Sequence, residues 1–199
     1  MKKSIILNNA LLFLLCLVFA DTKADNSARK TKAPSPITTG KPPAEMSLLY
    51  PRIGRWEVTI RTEPSEGLPR GGIDKGMMSI EKGPGGFSII QNFHSQGASG
   101  DLLGQSYSWW DRATKAYKSV WCDNLQGCIE FTTTINGNSW TVELDGEVNA
   151  KKVHTTIRAS MSGDHNTIQE EFLNSYDGGP AKKETTSIYR RVKPLAHKH

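Results

Sequence analysis

The sequence predicts an all-β fold: an antiparallel up-and-down β-barrel of about ten strands. Three observations carry this. From Trp56 onward, short segments alternate apolar and polar residues with a period of two. Strong turn formers separate them, among them Gly83-Pro84-Gly85-Gly86, Asn136-Gly137 and Gly178-Gly179-Pro180. No segment sustains a helical period. A meander of this kind favours closure because closure removes the unpaired edges. A two-sheet sandwich is the competing arrangement.

The first strand covers 56–62, where Trp56, Val58 and Ile60 alternate with polar residues. The stretch 63–72 is rich in glycine and proline and reads as a long mobile loop. A second strand follows over 73–82, with Met78 and Ile80 on one face. A third covers 87–95, with Phe87, Ile89 and Phe93 on one side and Gln91 among them. Residues 102–110 and 116–122 pair across the turn 111–115. They place Tyr107, Trp109, Tyr117 and Trp121 at alternate positions, the densest aromatic group in the chain. The sixth strand, 128–135, ends at Asn136-Gly137, a strong hairpin signal. Trp140, Val142 and Leu144 alternate on the seventh. Strands over 151–161, 166–174 and 184–192 complete the set.

The ends of the chain differ in kind from this body. Lys2 and Lys3 precede ten unbroken apolar residues, Ala10 to Phe19, and small residues follow at Ala20 and Ala24. That is the layout of a secretory signal peptide over 1–24; a membrane span needs roughly 17–25 apolar residues. Leu15 stands before Cys16, where a lipidated cysteine wants a small neighbour. Residues 25–45 hold four prolines and four basic residues, a composition that reads as a flexible linker. The folded domain is expected over 46–193, with a disordered tail over 194–199.

The net charge of +5 comes from the ends. Residues 46–193 carry 17 Lys plus Arg against 17 Asp plus Glu, so the domain is neutral and offers no electrostatic footprint for nucleic acid. Loss of the signal peptide leaves Cys122 and Cys128. An even count in an exported chain argues for a disulfide, here at the mouth of a hairpin and worth about 2 kcal/mol. A metal site would need two further ligands, and the spacing is not that of a thioredoxin-like pair. The expected location is secreted or periplasmic, with no membrane insertion after signal cleavage.

Gly54-Arg55-Trp56-Glu57, then Gly104, Tyr107, Trp110-Asp111, Tyr117 and Trp121, then Tyr189-Arg190-Arg191, together resemble the domain of unknown function 1579 family. That family comprises bacterial, frequently exported proteins placed near the calycins, the lipocalin-like barrels. The resemblance spans most of 48–192. It implies that Gly54 and Trp56 open the barrel, and that Arg190 or Arg191 packs over Trp56 to close its base. Such a cation–π contact is worth on the order of 1 kcal/mol. It supplies no catalytic residues.

Residues suited to chemistry are scattered. His94, His154 and His165 stand at no spacing that predicts a metal site, and His197 and His199 form a tail pair. No nucleophile elbow, phosphate loop or zinc-protease motif occurs. Glu170 and Glu171 are adjacent, so on a strand they face opposite ways. No catalytic residue, metal or cofactor is assigned. A barrel of ten strands is wide enough to hold one small molecule. Phe93, Tyr107, Trp109, Trp121, Phe131 and Trp140 are the candidates to line its cavity, and a small apolar ligand is the expected partner. The competing readings are an envelope interaction module without a ligand and an uncharacterised enzyme using the cavity.

Overall fold

A strand's backbone edges need partners, and here a ring supplies them to every strand, along most of its length. In the computed structural model, which describes residues 40–193, ten antiparallel strands close into one barrel. They are β1 (Gly54–Thr62), β2 (Gly72–Lys82), β3 (Ser88–Gly97), β4 (Gly100–Asp111), β5 (Ala116–Asp123), β6 (Gly127–Asn136), β7 (Ser139–Val148), β8 (Lys151–Met161), β9 (Thr167–Tyr176) and β10 (Lys182–Arg191). Each pairs with its neighbour in sequence, and β10 returns to β1 with Trp56 opposite Arg191 and Val58 opposite Tyr189. The sandwich is thereby set aside. The signal peptide, most of the linker and the tail lie outside the described residues.

One end of the barrel is sealed. Two short 3-10 turns, Ala44–Leu48 and Tyr50–Arg52, lead into β1 and bury Met46 and Leu49 beneath Trp56, which is itself fully buried. Ala44 and Glu45 therefore belong to the fold, although the sequence groups them with the linker. The Tyr117 hydroxyl donates to the Glu45 carbonyl (2.9 Å) and the Tyr50 hydroxyl to the Gly86 carbonyl (2.8 Å), fixing this segment against the strands. Trp56 donates from Nε1 to the Arg52 carbonyl (3.0 Å). Of the two terminal arginines, Arg191 lies 4.1 Å over the Trp56 ring, while Arg190 is exposed. Arg191 also donates to the carbonyls of Pro51, Ile53 and His165 at 2.7, 2.6 and 2.8 Å. Truncating a core tryptophan such as Trp56 costs about 3–5 kcal/mol.

At the opposite end, residues 63–71 cross from β1 and β2 to the far side of the ring. Glu66 accepts there from the Asn149 side chain through its carbonyl (3.0 Å) and from Lys151 through its carboxylate (2.8 Å). The loop read as mobile is thus latched. Cys122 and Cys128 face each other across β5 and β6 at this end and form a disulfide.

The ring of backbone pairs has one weak seam. β6 and β7 pair only from Thr133 opposite Val142 to Asn136 opposite Ser139, four residue pairs, and separate above them. Phe87, read as an inward strand residue, precedes β3 and is exposed, following a 3-10 turn over Pro84–Gly86.

Candidate functional site

The sealed end packs densely, and the space above it does not fill. On β4 and β5 several inward positions are small: Gly104, Ser106 and Ser108 on one strand and Ser119 on the other. The two serine hydroxyls of Ser108 and Ser119 satisfy each other at 2.8 Å. A cavity of about 340 Å³ results, at the small end of the roughly 300–1,000 Å³ typical of ligand sites. Its walls are mainly apolar, with Phe93, Trp121, Phe131, Trp140, Val142 and Leu144 prominent. Gln91, the interior polar residue noted in the sequence, also lines it. At the separated β6–β7 seam Phe131 borders both the cavity and a cleft on the outer wall, and Ile129 stands at the exposed rim.

The structure divides the six aromatic candidates. Phe93, Trp121, Phe131 and Trp140 line the interior, with Phe93 and Trp121 in edge-to-face contact at 6.0 Å between ring centres. Tyr107 and Trp109 do not join them. The buried positions of β4 are Ser106 and Ser108, so by strand alternation Tyr107 and Trp109 face outward, and Tyr107 is 41% exposed. The aromatic partner of Tyr117 is Trp110, 4.8 Å away. Trp121 is held by its indole N–H donating to Asp123 (2.7 Å), and its ring lies over Gly104, where a side chain would collide with it.

The floor of the cavity carries three groups that chain position alone does not bring together. Arg52, at the end of the second 3-10 turn, sends its guanidinium upward to 4.8 Å from the Trp140 ring centre. Glu170 points inward from β9, and the Tyr189 hydroxyl donates to it at 2.7 Å. Glu170 and Arg52 both line the cavity, and both are partly buried. Burial raises the Glu170 carboxyl above its ordinary range, outweighing the Tyr189 hydrogen bond and the nearby Arg52 charge. Burial also lowers Arg52 and, together with Glu170, drives the Tyr189 phenol well up. Arg52 Nε is buried with no hydrogen-bond partner.

Sequence reasoning missed both charged groups. Glu170 had a signal, since it lies between Ile168 and Phe172 on the inward face of its strand. Arg52 precedes the first alternation and had none. The histidines do not converge. His94 meets Asp101 at 2.7 Å on the outer surface, and His154 lies 2.9 Å from both Glu143 and Asp145 on the outer surface. The hydrogen bond that His154 makes to Asp145 raises the His154 pKa, and the charge of Glu143 adds to it. Among the described residues no group of three or more His, Cys, Asp or Glu is placed to hold a metal.

No protein-family model and no curated protein matches this sequence. Among solved structures, the chain is similar to Rv2717c from M. tuberculosis, with a TM-score of 0.54 at 13% identity, covering 77% of this chain and 100% of that one. A protein of unknown function from the DUF3598 family of Nostoc punctiforme PCC 73102 aligns at a TM-score of 0.24 and 9% identity, over 75% of this chain and 100% of that one, and carries no argument. The likeness to Rv2717c is one of barrel fold alone.

Proposed function

We propose that this protein is an exported barrel that holds one small, mainly apolar molecule in its interior. The observation that carries the reading is the cavity of about 340 Å³ walled by aromatic and aliphatic side chains above a sealed base. Such a space gains free energy by excluding water from an apolar guest, about 25 cal/mol for each Å² of apolar surface covered. The Cys122–Cys128 bond is compatible with an oxidising compartment, and with the signal-peptide layout of 1–24 it supports export. Membership of the domain of unknown function 1579 family belongs to the same proposal, resting on the motifs at Gly54-Arg55-Trp56 and Tyr189-Arg190-Arg191.

The test is titration with the neutral fluorophore N-phenyl-1-naphthylamine. Binding saturates at one probe per chain in the wild type and is lost in Ser106→Phe, whose ring fills the space. Trp121→Ala weakens it, and the outward Tyr107→Ala leaves it unchanged. No saturable binding in the wild type overturns the reading.

A further inference from the structure

Arg52 is the one group in this cavity whose chemistry the fold leaves incomplete. A buried guanidinium normally spends its five donors on carboxylates or carbonyls, because a buried donor without a partner loses the hydrogen bonds it had in water. Among the described residues Arg52 makes no side-chain hydrogen bond and no ion pair. Its Nε is sealed from solvent without an acceptor, and the rest of the guanidinium borders the cavity. Contrast Arg191 at the sealed end, which places three donors on three carbonyls. The barrel therefore satisfies an arginine fully where the arginine serves closure, and leaves one unsatisfied where it meets the cavity.

Among the described residues Glu170 is the only other charged side chain lining that space. One of its oxygens accepts from Tyr189, and no ion pair joins it to Arg52. Among the described residues no carboxylate stands within ion-pair distance of the Arg52 guanidinium. A guest with a cationic head would meet that charge, and a wholly neutral guest would leave it unpaired.

We infer that the occupant is an amphiphile with an acidic head of the carboxylate class, seated head-down so that its anion accepts from Arg52 beside Trp140 while its apolar body lies against Phe93, Trp121 and Phe131. Charge-assisted bonds of this kind are shorter and stronger than neutral ones. Trp140 beneath the guanidinium holds the fork in place. The cavity volume limits the body to a short chain or a small ring system. The inference rests on the interior-binding reading above and adds to it the chemistry of the head.

The experiment is displacement of N-phenyl-1-naphthylamine by octanoate, 1-octanol and octylamine, which share one apolar chain. The expected result is that octanoate competes at least tenfold better than 1-octanol, that the preference vanishes in Arg52→Met, and that Arg52→Lys restores part of it. Equal competition by the acid and the alcohol overturns the inference and leaves the interior-binding reading standing. Stronger competition by octylamine also overturns it and moves recognition to Glu170. Absence of any saturable probe binding overturns both. If Arg52→Met does not fold, the wild-type ranking and the Arg52→Lys variant decide the matter.

Discussion

Arg191 and Arg190 are neighbours in sequence and opposites in environment. Arg191 stacks on Trp56 and donates to the carbonyls of Pro51 and Ile53 before β1 and of His165 in the β8–β9 turn, whereas Arg190 faces outward. Arg191→Met orphans those carbonyls and is expected to lower stability by about 2–4 kcal/mol, against about 0.5 kcal/mol or less for Arg190→Met. Urea unfolding of the two variants checks this, and equal losses would refute it. Glu170 gives a second expectation, in pH. Its folded-state pKa is raised by burial above the ordinary 4.5. The folded protein therefore prefers the acid form, and that contribution is full below the unfolded pKa and is lost as pH rises through the folded value. Glu170→Gln keeps an acceptor for Tyr189 without the titration. Its melting temperature should gain on the wild type as pH rises past 4.5, then hold a constant margin. A wild type that gains instead would mean a depressed carboxylate paired with Arg52.

At the scale of single strands, β4 shows what was legible and what was not. Turns and alternation placed it within two residues at its start and one at its end, because Asp111 and the following residues are unambiguous turn formers. Its facing was not legible from aromatics, since large rings occur at both parities: Tyr107 and Trp109 at one, Trp110 at the other. The deciding information lies in the small residues. Gly104, Ser106 and Ser108 share the inward parity, and Gly104 is required by the indole of Trp121 lying across it. Gly104→Ala is expected to push that ring from the wall and cost about 1–3 kcal/mol by overpacking, with an altered tryptophan emission. Gly146→Ala, where a new methyl finds ordinary contact with Val153 at 3.6 Å, serves as control. Similar losses in the two variants would count against the packing argument. Of the aromatic candidates on β3, β6 and β7, Phe93, Phe131 and Trp140 line the cavity; on β6 and β7 the large apolar residues from Ile129 to Ile135 and from Trp140 to Leu144 keep a single parity.

Over the whole molecule, ring closure was readable because the meander leaves β1 and β10 as the only strands without a second neighbour. The floor was not readable, since it joins a turn before β1 to residues of β7, β9 and β10, and no periodicity spans such distances. The Cys122–Cys128 bond lies beside the β6–β7 seam, where it keeps the open-end half of β6 on β5. Its reduction should cost about 2 kcal/mol and lower the melting temperature by about 4–8 °C; an unchanged transition in reductant would contradict this. The seam has a consequence for motion. Above Thr133 the backbone of β6 has hydrogen-bond partners on one side only, as does β7 above Val142. A ring interrupted at one place behaves mechanically as a rolled sheet with a clasp, so thermal breathing concentrates there. Amide protons of 129–132 and 143–147 that point into the seam should exchange with deuterium faster than those in the middle of any other strand pair. A molecule could then pass through the wall by the bending of two strands, with no hydrogen bond of the ring broken.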